Sequence, residues 1–170
     1  MKTLVVYYSR SGVTRTLAEY IAKDVGADIE EIEGGKRGGA LGFVVSGYQS
    51  MGGKNASIGP IKSKVGEYDV VVIATPIWAG QPSSPTNAFL TNYGGEVKNY
   101  AVVFTRANAK NDYAQVTEAF IGKLKKEPLA FLSMCSKMVK DGSYAAADSF
   151  YRDHKKPRRE MIFIFRWKSG

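Results

Sequence analysis

Two hydrophobic rhythms alternate along the chain. Thr3 to Tyr8 is a nearly unbroken β-branched and aromatic run, which predicts a buried strand. From Val13 to Val25 the period changes. Leu17, Ile21 and Val25 recur every fourth residue with Ala18 and Ala22 beside them, the apolar stripe of an amphipathic helix. Asp28 to Glu33 sets Ile29 and Ile32 among acids and predicts a second strand. Leu41 to Met51 is helix-like but interrupted by glycines. Asp69 to Thr75 contains the run Val70-Val71-Val72-Ile73-Ala74, expected of a third strand buried on both faces. Ser84 to Tyr93 follows as a helix, and Tyr100 to Thr105 as a fourth strand. Tyr113 to Lys125 is a helix with Val116, Phe120 and Leu124 at four-residue spacing. Leu129 to Met134 is a fifth strand, and Gly142 to His154 a closing helix.

Strands separated by helices imply an α/β fold, with a parallel sheet covered on both faces and joined by right-handed crossovers. No internal repeat, low-complexity segment or linker divides the chain. Gly34 to Gly39 and Gly52 to Pro60 are loop-rich but short enough to belong to one domain. The pattern changes after Pro157. The run Met161-Ile162-Phe163-Ile164-Phe165-Arg166-Trp167 lies beyond a proline stop, and packing against its own body is the reading favoured for it.

The length of 170 residues suits one domain with a substantial core, and 44% apolar with 24% charged residues is ordinary for a globular chain. No apolar run approaches the ~20 residues of a membrane span, and the N-terminus has no signal-peptide pattern, so a cytoplasmic protein is expected. Cys135 is the single cysteine, which excludes an internal disulfide and a cysteine metal cluster. It ends an apolar strand and reads as buried and inert. The net charge of +8 is uneven: residues 152–170 hold seven basic and two acidic groups, while the body is nearly balanced. The tail reads first as a solvated end, then as a contact for an acidic partner or a membrane surface. Nucleic-acid binding rests on charge alone and is not favoured. His154 has no ligand partners near it in sequence, so no metal site is expected.

The chemistry concentrates in loops that follow strands. Ligands of open α/β sheets bind beyond the carboxyl ends of the strands. There the first strand gives way to Ser9-Arg10-Ser11-Gly12-Val13-Thr14 and then at once to a helix. The helix N-terminus offers unpaired N–H groups and the positive end of its dipole. Ser9, Ser11 and Thr14 add hydroxyl donors, and Gly12 allows close backbone approach. One hydroxyl would serve as a helix cap. Three hydroxyls and a glycine in six residues exceed that need and point to a phosphate. The loop has neither the lysine of a Walker loop nor the spacing of a dinucleotide fingerprint. Ser9 and Ser11 have no His/Asp partnership, so no catalytic residue is assigned.

This loop fits the [ST]-x-[ST]-G-x-T pattern of the flavodoxin family, and the stretch from Lys2 to Ala22 resembles a flavodoxin first strand, loop and helix. The resemblance implies a flavodoxin-like three-layer sandwich with a five-stranded parallel sheet in the order 2-1-3-4-5. It implies a domain over residues 1–154 and a basic, aromatic extension over 155–170. It also implies FMN as cofactor, with Ser9, Arg10, Ser11, Gly12, Val13 and Thr14 around its phosphate. Gly42 to Tyr48 resembles the second-helix segment of a short-chain subgroup.

Thr75-Pro76-Ile77-Trp78-Ala79-Gly80 follows the third strand; proline is expected to end the ladder there and glycine to close a turn. The segment resembles the T-P-x-[WY]-x-G loop beside the family's isoalloxazine, which implies flavin contacts at Thr75, Pro76, Ile77, Trp78, Ala79 and Gly80. Trp78 is expected to stack on the ring. A third loop begins at Thr105, Arg106 and Ala107, which the resemblance places on the other side of the flavin as backbone contacts. It departs from the family in having neither glycine nor aromatic before Tyr113. Arg106 either offsets charge on a reduced flavin or is solvated.

An FMN-binding redox protein that carries electrons between partner proteins is therefore the leading expectation. The alternatives are a flavin-dependent NAD(P)H/quinone oxidoreductase or protoporphyrinogen-oxidase-like enzyme, and a non-redox scaffold. Flavodoxins as a group are acidic, and the basic balance here puts their usual partner set in doubt.

Overall fold

A computed structural model describes residues 1–34, 57–108, 111, 113–144 and 147. The strands are β1 (Thr3–Tyr7), β2 (Asp28–Glu31), β3 (Val70–Trp78), β4 (Gln81–Pro82), β5 (Tyr100–Arg106) and β6 (Phe131–Cys135). The helices are α1 (Val13–Val25), α2 (Ser84–Tyr93), α3 (Thr117–Leu124) and α4 (Ser136–Lys140). Five strands form a parallel sheet in the order β2-β1-β3-β5-β6. In chain order these parallel strands read 2-1-3-4-5, as the family resemblance implied.

The central strands bury both faces because successive side chains alternate across the sheet. On one face Leu4, Val6, Val71, Ile73, Val102 and Phe104 pack with Phe89 and Leu90 of α2 and Phe120 and Leu124 of α3. On the other, Val5, Tyr7, Val72, Ala74, Val103 and Met134 pack with Leu17, Ala18, Ile21 and Ala22 of α1 and Val139 of α4. Val25 and Ile29, counted in the apolar patterns, stand at the margin and are exposed.

Three elements differ from the pattern. β3 does not stop at Pro76. It runs on to Trp78 and turns into the two-residue strand β4, which pairs antiparallel through Ile77–Pro82 and Trp78–Gln81. The Tyr8 amide donates to the Ala74 carbonyl, so Ala74 bonds toward β1. Two residues on, the nitrogen of Pro76 faces that same side after β1 has ended, and its missing N–H costs no ladder bond. Next, a short helix that the pattern did not predict follows β6 at Ser136–Lys140, and Gly142 with φ 70° comes after it. The expected closing helix does not begin at Gly142, since residues 142–144 are not helical, but Ala147 within its span is. Most of its expected span lies outside the described residues, as do Leu41–Met51, His154 and the extension 155–170. Finally, the expected fourth helix opens with a separate 3-10 turn, Ala114–Val116, after Tyr113 at φ 60°.

Among the described residues no helix is long and apolar enough to cross a membrane. Cys135 is buried, its thiol 3.8 Å from the Ala107 carbonyl oxygen.

Candidate functional site

The loops after β1, β3 and β5 meet at the carboxyl edge of the sheet. In the first, Gly12 precedes α1 with φ 84° and ψ −21°, a left-handed conformation that glycine adopts without strain. No side chain caps the helix, and its first turn has no acid. The Thr16 amide makes the first intrahelical bond, to the Gly12 carbonyl at 2.9 Å. The amides of Val13, Thr14 and Arg15 precede that bond and have no intrahelical acceptor. In the same loop the Ser9 hydroxyl oxygen is buried without a hydrogen-bond partner. A buried hydroxyl left alone is costly, and unspent amides and an unspent hydroxyl at a dipole's positive end suit an anion. Arg10 and Ser11 are exposed, while Val13 faces the core.

Thr14 is buried, and its hydroxyl lies 2.7 Å from that of Thr105 at the end of β5. The next residue turns away. Arg15 donates to both oxygens of Glu31 at 2.7 and 2.8 Å, and its Nε donates to the Tyr7 phenol oxygen at 3.2 Å. Its charge is thus matched at the end of β2. Burial, ahead of the nearby charges, pushes the Tyr7 phenol above its ordinary pKa.

The second loop is a tight hairpin. Ala79 at φ 48° and Gly80 at φ 75° occupy its apex, the two positive values that a type I′ turn requires. Trp78 precedes the apex and is partly buried, its ring edge-to-face with Tyr8. The legs of the hairpin are tied below by hydroxyls. Thr75 Oγ1 accepts from the Ser83 amide at 3.2 Å and from the Thr86 hydroxyl at 2.9 Å. The Ser83 and Thr86 hydroxyls are 2.9 Å apart, and the Thr75 hydroxyl reaches Ser83 Oγ at 3.2 Å. All three residues are wholly buried. The Thr75 side chain therefore serves the hairpin, which leaves its backbone as the part able to face a ligand.

In the third loop, the partly buried Arg106 guanidinium is held by two acceptors. Its Nε donates to Ser133 Oγ at 3.0 Å and its Nη1 to the Asn108 carbonyl at 2.6 Å. The Arg106 carbonyl in turn accepts from Ser136 Oγ at 3.0 Å. Ala107 is exposed, and Ala109, Lys110 and Asp112 lie outside the described residues.

Sequence reasoning missed Tyr8, Ser83 and Thr86. Tyr8 lies so close to Gly34 that a Cβ there would come 2.9 Å from its Cε2. A side chain at Gly34 would force the Tyr8 ring to shift, and this long-range pairing has no local sequence signal. Ser83 and Thr86 had one: hydroxyls flanking Pro85 at a helix start.

The model of the NADPH-dependent FMN reductase family matches residues 1–135. No curated protein sequence matches the chain. Among solved structures, a flavoprotein in complex with FMN from Lactobacillus acidophilus is 20% identical, with 83% of this chain and 97% of that one covered and a TM-score of 0.63. A flavodoxin, WrbA-like protein from Agrobacterium tumefaciens is 18% identical, with 91% and 99% covered and a TM-score of 0.51. An NAD(P)H:quinone oxidoreductase from Methanothermobacter marburgensis is 11% identical, with 92% and 97% covered and a TM-score of 0.53. At these identities the likeness establishes a flavodoxin-like fold.

Proposed function

The chain belongs to the NADPH-dependent FMN reductase family, and from that membership we propose that it is an FMN-dependent oxidoreductase that passes electrons from a reduced nicotinamide to a small acceptor of the quinone class. FMN as the flavin follows from the family. The family also favours an oxidoreductase over the carrier of electrons between partner proteins that led the sequence expectations. The nicotinamide and quinone are taken from the family description and from the name of the Methanothermobacter relative.

The observation that carries the reading is the buried, partnerless Ser9 hydroxyl in the loop that leads into the uncapped start of α1. Those donors fit a phosphate, and this chain supplies them without a lysine. Ser9, Ser11 and the amides of Gly12, Val13 and Thr14 would hold the phosphate. The hairpin at Pro76–Gly80 and the backbone of Thr105–Ala107 would flank the ring. Bound FMN supplies reversible acceptance of a hydride equivalent, chemistry that no side chain here provides. The residues' own part is to bind, orient and exclude water. The Thr75–Ser83–Thr86 hydroxyls fix the hairpin, and Trp78 offers a flat apolar surface.

The test is a titration of cofactor-stripped protein with FMN, followed by NADPH oxidation with and without a soluble quinone. Saturable binding and quinone-stimulated oxidation are expected. Tight FMN binding with no nicotinamide oxidation would return the protein to the carrier role. No FMN binding would overturn the reading.

A further inference from the structure

Two protons belong to the Thr14 and Thr105 hydroxyls, and only one can lie in the 2.7 Å bond between them. Both residues are nearly inaccessible, with 2% and 3% of their surfaces exposed. Buried hydroxyl protons normally find an acceptor. The second proton belongs to whichever threonine accepts in the shared bond. Thr14 lies in the first turn of α1, and the partnerless Ser9 hydroxyl belongs to the loop that leads into it. Thr105 is the penultimate residue of β5, a strand that is not adjacent to β1.

We propose that Thr105 is a phosphate-positioning residue: it donates its proton to Thr14 Oγ1 and so commits the Thr14 proton to an anionic oxygen in the first loop. The inference rests on the phosphate reading of that loop. It also reassigns Thr105. Its side chain acts on the phosphate end through Thr14, although its loop was expected to contact the flavin ring. An ionised phosphate oxygen accepts and does not donate, so its presence fixes the direction of both bonds. Charge-assisted bonds of this kind are the stronger ones. With valine at 105, Thr14 loses the donor that directs its hydroxyl, while the volume at the site is kept.

The experiment compares FMN with riboflavin, which has the same ring system and no phosphate, by fluorescence titration of the cofactor-stripped protein. Wild-type protein should prefer FMN. Thr105→Val should weaken FMN by about tenfold, the scale of one supporting hydrogen bond to a charged contact. Riboflavin affinity should stay within about twofold, and Thr105→Ser should restore FMN binding. The double variant Thr14→Val/Thr105→Val should bind FMN no more weakly than Thr14→Val alone, since Thr105 acts through Thr14. Equal losses for the two flavins, no loss for either, failure of serine to rescue, or additive losses would each overturn the proposal. Thr105→Ala replaces the valine variant if that one does not fold. A wild-type protein that binds FMN no better than riboflavin would remove the phosphate reading itself. A wild-type preference that Thr105→Val leaves intact would remove only the role of Thr105.

Discussion

The rings of Tyr8 and Trp78 meet edge to face, with planes 88° apart and centroids separated by 5.6 Å. This arrangement sets the positive edge of one ring against the negative face of the other and adds about 0.5–1.5 kcal/mol to the burial of such a pair. Tyr8 immediately precedes the first loop and Trp78 the apex of the hairpin, so the contact ties two loops of the candidate site together. Trp78→Ala should weaken FMN and riboflavin alike by a few-fold to about tenfold, because a ring contact ignores the phosphate. Flavin emission in the complex should rise at the same time. Fluorescence titration reads both, and unchanged affinities with unchanged emission would count against a contact between Trp78 and the ring.

Thr75→Val tests the buried hydroxyl knot. The change keeps shape but deprives the Ser83 amide and the Thr86 hydroxyl of their shared acceptor. Buried donors without an acceptor cost about 1–3 kcal/mol, so the urea midpoint should fall accordingly. Thr75→Ser keeps the oxygen and should recover most of the loss. A valine variant as stable as wild type would show that the knot contributes nothing.

The sheet was legible because its strands carry their burial in composition. Val70–Ala74 reads as a two-sided core strand, and Val70–Ala74 pair with β1 on one side while Val71–Ala74 pair with β5 on the other. The α1 stripe was equally plain at Leu17 and Ile21. Local rules failed where tertiary geometry overrode them. Pro76 ends most strands, but here its nitrogen faces a position that β1 has vacated. Ser136–Lys140 is too short to show a helical period, so that helix has no signal in the sequence pattern. At the site, the hydroxyl-rich first loop was visible in sequence, whereas the Thr14–Thr105 bond spans 91 positions and leaves no spacing to read. Arg106 looked free because its acceptors, Ser133 Oγ and the Asn108 carbonyl, are chosen by the fold.

Lys125 follows α3 with φ 57°, and its amide bonds the Ile121 carbonyl at 2.8 Å. That left-handed position favours glycine at a helix end. Lys125→Gly removes the strain on a Cβ while raising the entropy of the unfolded chain. The first effect, about 1–2 kcal/mol, exceeds the second, about 0.4–1 kcal/mol. Stability should rise by up to about 1.6 kcal/mol, measurable as a higher Tm. A lower Tm would mean that the lysine side chain does more than its exposure suggests.

Tyr100 is wholly buried, and its phenol donates to the Lys126 carbonyl at 2.8 Å. Burial, followed by repulsion from Glu127 and Glu118, holds its pKa far above the usual value. Below about pH 10 the phenol is protonated in folded and unfolded chains alike and adds no pH dependence. Above that value the unfolded chain releases the proton that the folded chain keeps, so stability falls as pH rises. Tyr100→Phe should flatten this alkaline decline, while costing about 1 kcal/mol at neutral pH for the lost hydrogen bond. Urea unfolding at a series of pH values from neutral to strongly alkaline tests both parts. An alkaline slope identical to wild type would show that other groups set it.

Gly12 separates the conformational demand of the first loop from its steric demand. A Cβ built there meets nothing within 4 Å, so the site has room for a side chain. The backbone does not favour one, because φ is 84°. Gly12→Ala should therefore cost about 1–2 kcal/mol through strain alone, partly offset by the stiffer unfolded chain. It should also weaken FMN more than riboflavin, because relief of the strain displaces the Gly12–Thr14 amides from the phosphate. Gly12→Asn is the control, since asparagine tolerates the left-handed region. It should lose less stability and less FMN affinity than alanine despite its larger side chain. If asparagine proves the more damaging of the two, bulk at the mouth of the loop, rather than backbone conformation, is what the glycine avoids.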